Sequence, residues 1–484
     1  VVLHSQLRAD CWIQDVQARV FATLGQPNWL AAYLAMLIFP ALYFFLTAAS
    51  RKLLITYYLL LITFYLAFTF TYSRGATLGL IAGIFVFIGF QIVNLHPKGV
   101  NLDFIKLKPN LIVLAGFLII NLFFGSAITR FNISQLLPAS SSSSSINQPS
   151  PTITQLEFGG TESGQIRLIV WQGALDIFKH YPIFGSGVET FAYAYYQFRP
   201  VSHNLTSEWD FLYNKAHNEF LNYLATTGIV GLSTYIIIVI TFITVILRKQ
   251  NLFSISLLSA YISYLVQNIF GFSVVITALF FFLFPGLAFV ITDSKKPLNI
   301  PKFIIHNSKF LTSIYRRPSY TNAAKIILIF TIFYLLFTIL KFWYADTLFS
   351  RGERSSEAGN PGRAYNYLSD ATFLNPGEPF YLSELSYNSA SAALVISDND
   401  ATLSAQLKEE AISSIEQVLR ENPRNTSYFR TAIRTYFELS MLDPTFTKKT
   451  IEVLDKTISL APTDPKLYYN KAIVLGQVDQ IDEA

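Results

Sequence analysis

Three side chains stand at the edges of apolar runs, and each has the chemistry to hold an anion or move a proton. Arg74 opens the stretch TYSRGATLGLIAG, where small residues follow it into an apolar run. In a helix core a charge costs about 2.5–3.5 kcal/mol, so Arg74 belongs at the interface, either snorkelling to lipid headgroups or facing a ligand. Arg167 lies four residues before Trp171 in ESGQIRLIVWQGALDIFKHYPIFGSGVETF, so on a helix the two share a face. That face either lies on a membrane surface or serves a site. His217, with Asn218 after it, heads the run KAHNEFLNYLATTGIVGL. Imidazole is the side chain that titrates nearest neutral pH, so His217 reads as a proton acceptor or as a hydrogen-bonding interfacial histidine. Asn218 could orient the ring, hold a substrate hydroxyl or cap the helix that follows.

Weaker candidates surround these. Gly185 and Gly187 in PIFGSG resemble a phosphate loop only superficially, with no preceding strand and no third glycine, and predict a turn. Glu208 and Asp210 in SEWD have the spacing of a divalent-metal pair, but two carboxylates in a loop read first as solvated, and no metal site is expected. The aromatic run from Thr190 to Pro200 could stack on sugar rings or pack on a membrane surface, which leaves Arg199 and His203 as secondary candidates. Cys11 is the single cysteine, so no intramolecular disulfide is possible.

The elements that must position these residues are membrane helices. Of 484 residues 52% are hydrophobic and 14% charged, which excludes an ordinary soluble domain. Apolar runs of bilayer-spanning length lie near 29–49, 53–72, 76–94, 110–129, 228–247, 252–270, 272–291 and 325–344. Apart from Lys325 and Lys341 at the ends of the last, they hold no Asp, Glu, Lys or Arg, which counts against an ion-coupled transporter. Basic clusters at Arg51/Lys52, Lys98/Lys106/Lys108, Arg248/Lys249 and Lys295–Arg317 orient one side to the cytoplasm. Arg74, Arg167 and His217 then face outward, the last two on a long outer loop of about 130–227. That loop begins with the Ser/Pro-rich PASSSSSINQPSPT and is too long to be a mere connector.

The expected fold class is all-α: a polytopic transmembrane bundle with a long extracytoplasmic loop and a C-terminal α-helical repeat domain. The domains run as an outer segment 1–28, a membrane domain 29–291, a basic cytoplasmic loop 292–324, a last span 325–344 and outer repeats 345–484. In the last of these, FLNPGEP, RENPRNT and LAPTDP place Pro376, Pro423 and Pro462 at intervals of 47 and 39 residues, each ahead of a helix with an aromatic residue (Tyr381, Tyr428, Tyr468). They resemble tetratricopeptide repeats with looser spacing than the usual ~34 and suit a protein partner. VVLHSQLRAD lacks an initiator Met and signal-peptide features, and GQVDQIDEA stops in a helical pattern, so the chain reads as a fragment.

Read in order, RVFATLGQPNWLAAYL (19–34), SRGA, R-x-x-x-W followed by P-x-F-G-x-G, and HNEFL with G-x-x-G-L resemble the O-antigen ligase and polymerase superfamily over about residues 19–291. The resemblance implies a metal-independent, cofactor-free transfer of a glycan from an undecaprenyl-pyrophosphate carrier to a hydroxyl acceptor, at the outer face of a bacterial inner membrane. It implies His217 as the catalytic histidine and Arg74 and Arg167 as pyrophosphate binders; Asn218 and Arg199 stay possible substrate contacts on the reading of the residues alone. Guanidinium forks suit the charge gathering on a departing pyrophosphate, and two arginines would keep a neighbouring imidazole neutral. The acceptor could be a glycan, a lipid or a protein, so a repeat-unit polymerase and a protein O-oligosaccharyltransferase share this pattern. A non-catalytic scaffold that works through its repeats is the reading from another class. A net charge of +5, spread over short clusters, gives no nucleic-acid face.

Overall fold

The computed structural model describes residues 19–95, 104–128, 163–211, 213–248, 251–292 and 318–477. Cys11, the Ser/Pro-rich stretch 138–152, most of the basic loop 292–324 and both ends of the chain lie outside them. The described residues form helices and turns with no strand, in two compact units: residues 1–195 with 200–296, and residues 196–199 with 297–484.

In the first unit every expected apolar run is a helix: α1 (Pro27–Leu46), α2 (Arg51–Thr69), α3 (Arg74–Leu95), α4 (Phe104–Phe124), α7 (Glu219–Arg248), α8 (Leu252–Gln267) and α9 (Val275–Thr292). Their starts follow from sequence. Pro27 opens α1, Ser50 accepts from Leu53 N (3.3 Å) to cap α2, and Asn251 with Ser254 makes a capping box on α8. α1 packs against α2, α3 and α8, and its residues Met36, Ile38 and Phe39 are fully enclosed.

α3 runs along α8 at close range because of the small residues after Arg74. A Cβ at Gly79 would lie 2.2 Å from the Ser263 carbonyl oxygen. One at Gly83 would lie 2.3 Å from Phe39 Cζ and 2.7 Å from the Ser259 oxygen. Glycines four residues apart let backbones approach where apolar burial gives little drive inside lipid.

The outer segment contributes α5 (Ser163–His180) and α6 (Phe191–Phe198). α5 turns Ile166, Val170, Gly173, Ala174 and Ile177 inward and packs on α7. α7 is broken at Gly228 (φ 64°, ψ −166°), backbone that only glycine adopts readily. The turn 182–187 fills the break. Ile229 and Val230 N–H donate to the Pro182 and Ile183 carbonyls (2.9 and 3.3 Å). The Ala225 and Thr226 carbonyls, which an unbroken helix would have bonded to those N–H groups, accept from Ser186 and Gly187 (3.0 and 2.9 Å). The lost helical bonds are thus replaced one for one, as a backbone break at membrane depth requires.

The second unit holds α10 (Pro318–Glu357), α11 (Pro361–Leu374), α12 (Pro379–Ile396), α13 (Ala401–Glu421), α14 (Thr426–Leu442), α15 (Thr445–Leu460) and α16 (Pro465–Gln477). The expected border at 344/345 falls inside the continuous helix α10, whose apolar side chains from Ile326 to Tyr344 are almost all exposed, as a lipid-facing helix requires. From Ala345 the same helix buries Leu348 and Phe349 against α11 and α12. Each Pro-containing turn separates two helices, and Glu378, Asn425 and Asp464 accept from the backbone N–H two residues on. Among the described residues five helices are long and apolar enough to cross a membrane, and the apolar helices 109–124, 252–267 and 275–290 are shorter. The molecule is a polytopic helical membrane protein.

Candidate functional site

His217 precedes the first turn of α7 with φ at +51°, a left-handed conformation uncommon for a residue with a side chain. The neighbours that fix it are local. Asn218 Oδ1 accepts from Leu221 N (3.0 Å), so Asn218 is the cap of α7, and Asn222 Oδ1 accepts from Ala216 N (3.3 Å). Buried Glu219 reaches the turn before α9: its N–H donates to the Asn268 carbonyl (2.9 Å) and its Oε2 accepts from Ser273 N (3.1 Å). Phe272 on that turn meets the His217 ring edge-on at 5.1 Å, and Tyr213 meets it at 5.4 Å. The imidazole is therefore clamped from both sides by aromatic rings.

Burial first, and the nearby Arg167 charge second, lower the His217 pKa from 6.5 to about 4. At that value the imidazole is neutral across the physiological range. Burial also lowers the Arg167 guanidinium from its ordinary value; Tyr213 and Glu208 oppose that, while Arg74 adds to it. The fold has thus gathered Arg74, Arg167 and His217, which are far apart in sequence, into one electrostatic neighbourhood. Among the described residues neither arginine has a carboxylate within ion-pair distance.

Arg74 is exposed at the first residue of α3, where its cation joins the unsatisfied N–H groups and positive end of the helix dipole. Two like fields at one point are unfavourable until an anion joins them. The turn before it is fastened by Arg19, whose Nε donates to the Thr71 carbonyl (2.8 Å) and whose Nη2 donates to Asn28 Oδ1 (3.0 Å). Val20 N–H adds a bond to the Phe70 carbonyl (3.1 Å). The Arg and Pro-Asn of the first motif therefore position the turn that presents Arg74.

The remaining candidates resolve as follows. Trp171 shares the α5 face with Arg167, and its buried indole N–H has no acceptor among the described residues. Glu208 accepts from the Tyr213 hydroxyl, and this bond, after burial, pushes the phenol's pKa up. No group of three or more potential metal ligands gathers among the described residues. His203 is wholly enclosed, with Nε2 3.2 Å from the Glu208 carbonyl and Nδ1 2.7 Å from the Tyr195 hydroxyl. A carbonyl can only accept, so Nε2 carries the proton, Nδ1 accepts from the phenol, and this histidine holds the loop together.

Arg199 is buried in the second unit, its carbonyl accepting from Thr463 Oγ1 (3.2 Å). Tyr213, Glu219 and Phe272 were not singled out by sequence. Only Glu219 carried a signal there, as a carboxylate at the first residue of an apolar helix.

The chain segment that holds Arg74, Arg167 and His217 has a counterpart among known families. Residues 58–236, from within α2 to within α7, match the family described as O-antigen ligase. No curated protein matches the chain.

Proposed function

We propose that this chain, whose residues 58–236 match the O-antigen ligase family, transfers a glycan from an undecaprenyl-pyrophosphate carrier to a hydroxyl acceptor. The observation that carries this reading is the buried, neutral imidazole of His217 beside Arg167, which is in turn coupled to Arg74. The donor's pyrophosphate is held by Arg74 and Arg167, with the N-terminus of α3 supplying N–H donors. His217 accepts the proton of the attacking hydroxyl as its oxygen bonds the anomeric carbon and the bond to pyrophosphate breaks. The leaving pyrophosphate keeps the electron pair, and the arginines stabilise the charge it gains without help from a cation.

Donor binding also strengthens the base. A pyrophosphate beside Arg167 offsets the cation that depresses His217 and places negative charge near the ring, and both effects raise the imidazole's pKa. The base thus rests deprotonated and gains basicity once the donor is in place.

In this reading the site opens to the extracytoplasmic side of a bacterial inner membrane, as the basic clusters between spans orient it. The C-terminal helices act as tetratricopeptide-like docking for a protein partner.

The test measures transfer from an undecaprenyl-pyrophosphate glycan by the full-length protein in membranes with EDTA present. Native protein should transfer, and His217→Ala should lose about 10²–10⁴-fold at unchanged expression. Transfer that persists in the variant, or that requires metal, overturns the mechanism.

A further inference from the structure

The second unit carries an open groove of about 460 Å³ where the end of α10 meets the start of α11. Its walls present Arg351, Arg354 and Ser355 from α10, then Asn360, Arg363 and Tyr367. The volume lies in the range of about 300–1,000 Å³ that receives small ligands.

Three guanidiniums in one concavity repel one another, and among the described residues no ion pair offsets that repulsion. Arg354 Nη2 donates only to Ser350 Oγ (3.4 Å), and Arg363 Nη2 donates to the Tyr367 hydroxyl (3.4 Å). Among the described residues no carboxylate lies within ion-pair distance of any of the three, although this unit pairs four other cations with carboxylates. The Tyr367 phenol registers the field: its pKa is lowered, first by the Arg363 bond and also by Arg351.

The groove also lies close to the membrane along a single helix. The last exposed aromatic residues of the apolar stretch are Trp343 and Tyr344. Arg351 follows seven residues later, about 10 Å further along the axis at 1.5 Å per residue. A headgroup layer occupies roughly the first 5–8 Å beyond the hydrocarbon core, so the groove borders that layer.

We propose that Arg351, Arg354 and Arg363 form a binding site for a phosphate oxyanion, separate from the His217 neighbourhood. Guanidinium forks match phosphate oxygens bidentately, and Tyr367 supplies an aromatic wall. A ligand of two or more negative charges cancels the repulsion, whether it is the headgroup of a bilayer lipid or a soluble phosphorylated compound.

The experiment maps phenylglyoxal labelling of arginines by mass spectrometry on the full-length chain in nanodiscs. In phosphatidylcholine discs, inorganic pyrophosphate should protect Arg351, Arg354 and Arg363 at least tenfold more than exposed Arg424 if the source is soluble. Protection in phosphatidylglycerol discs without pyrophosphate identifies a headgroup. Either result supports the site, and equal labelling of all four arginines in both arms overturns it. In the double variant Arg351→Gln/Arg354→Gln, protection of Arg363 should fall to the level of Arg424; full retention also overturns the proposal.

Discussion

The two units hold their backbone and their charges in opposite ways. All four described non-glycine residues with positive φ, Ala22, Tyr72, Glu189 and His217, belong to the membrane unit, as do five of the six such glycines; Gly359 alone lies in the other. The second unit carries little such strain, and several of its cations outside the groove are paired: Lys408 with Asp443 at 3.0 Å, Lys471 with Asp455 at 2.7 Å, Arg434 with Glu384 at 3.7 Å. In the membrane unit Arg74 and Arg167 lack such partners. Strained backbone and unmatched charge cost stability, and they persist where a site needs them. In the proposed reading, the left-handed backbone of His217 and the unpaired Arg74 and Arg167 belong to one site, and the second unit carries no counterpart to it among its described residues.

That contrast is sharpened most by Arg167→Gln. Losing one guanidinium aimed at developing charge should lower transfer about 10²–10³-fold. The pH profile supplies an independent sign. In the proposed mechanism transfer requires neutral His217, so activity should fall as pH drops through the histidine's pKa, about 4 in the free protein. Burial keeps most of that depression in the variant, but removing the like charge raises the pKa, so the acid limb of kcat/KM moves to higher pH. A limb that stays put would detach Arg167 from His217.

A smaller effect is expected at the break in α7. In Gly228→Ala the new Cβ would fall 2.3 Å from the Ile183 carbonyl oxygen in a conformation that costs an L-residue about 1–3 kcal/mol. Thermal unfolding should shift down and transfer should drop about tenfold, because the segment that caps and carries His217 moves. Unchanged activity would mean that the break matters to packing alone. The smallest effect belongs to Arg434→Gln. It removes a half-exposed ion pair and a stacking contact over Tyr387 (3.8 Å). Stability should change by about 1 kcal/mol or less with transfer unaltered. A transfer defect there would erase the division of labour between the units.

The sequence by itself determined the class of this protein and the identity of its spans. A run of about twenty apolar residues has one low-energy solution in lipid, and Pro27, Ser50 and Asn251 fixed helix starts by local hydrogen bonding. It also marked Arg74, Arg167 and His217 as candidates, since charged and titratable residues at span edges are conspicuous against an uncharged background. What it left open is how those positions meet. PIFGSG read as a turn and GIVG as the entry to a span, and nothing in either predicts that the first supplies the hydrogen bonds broken by the second. That Asn218 caps α7 through Leu221 N emerged only with the fold. Tyr213, Glu219 and Phe272 look ordinary in sequence because their role is contact across distant segments. The depressed pKa of His217 arises from desolvation and from a cation fifty residues earlier, quantities that exist only once the chain has packed.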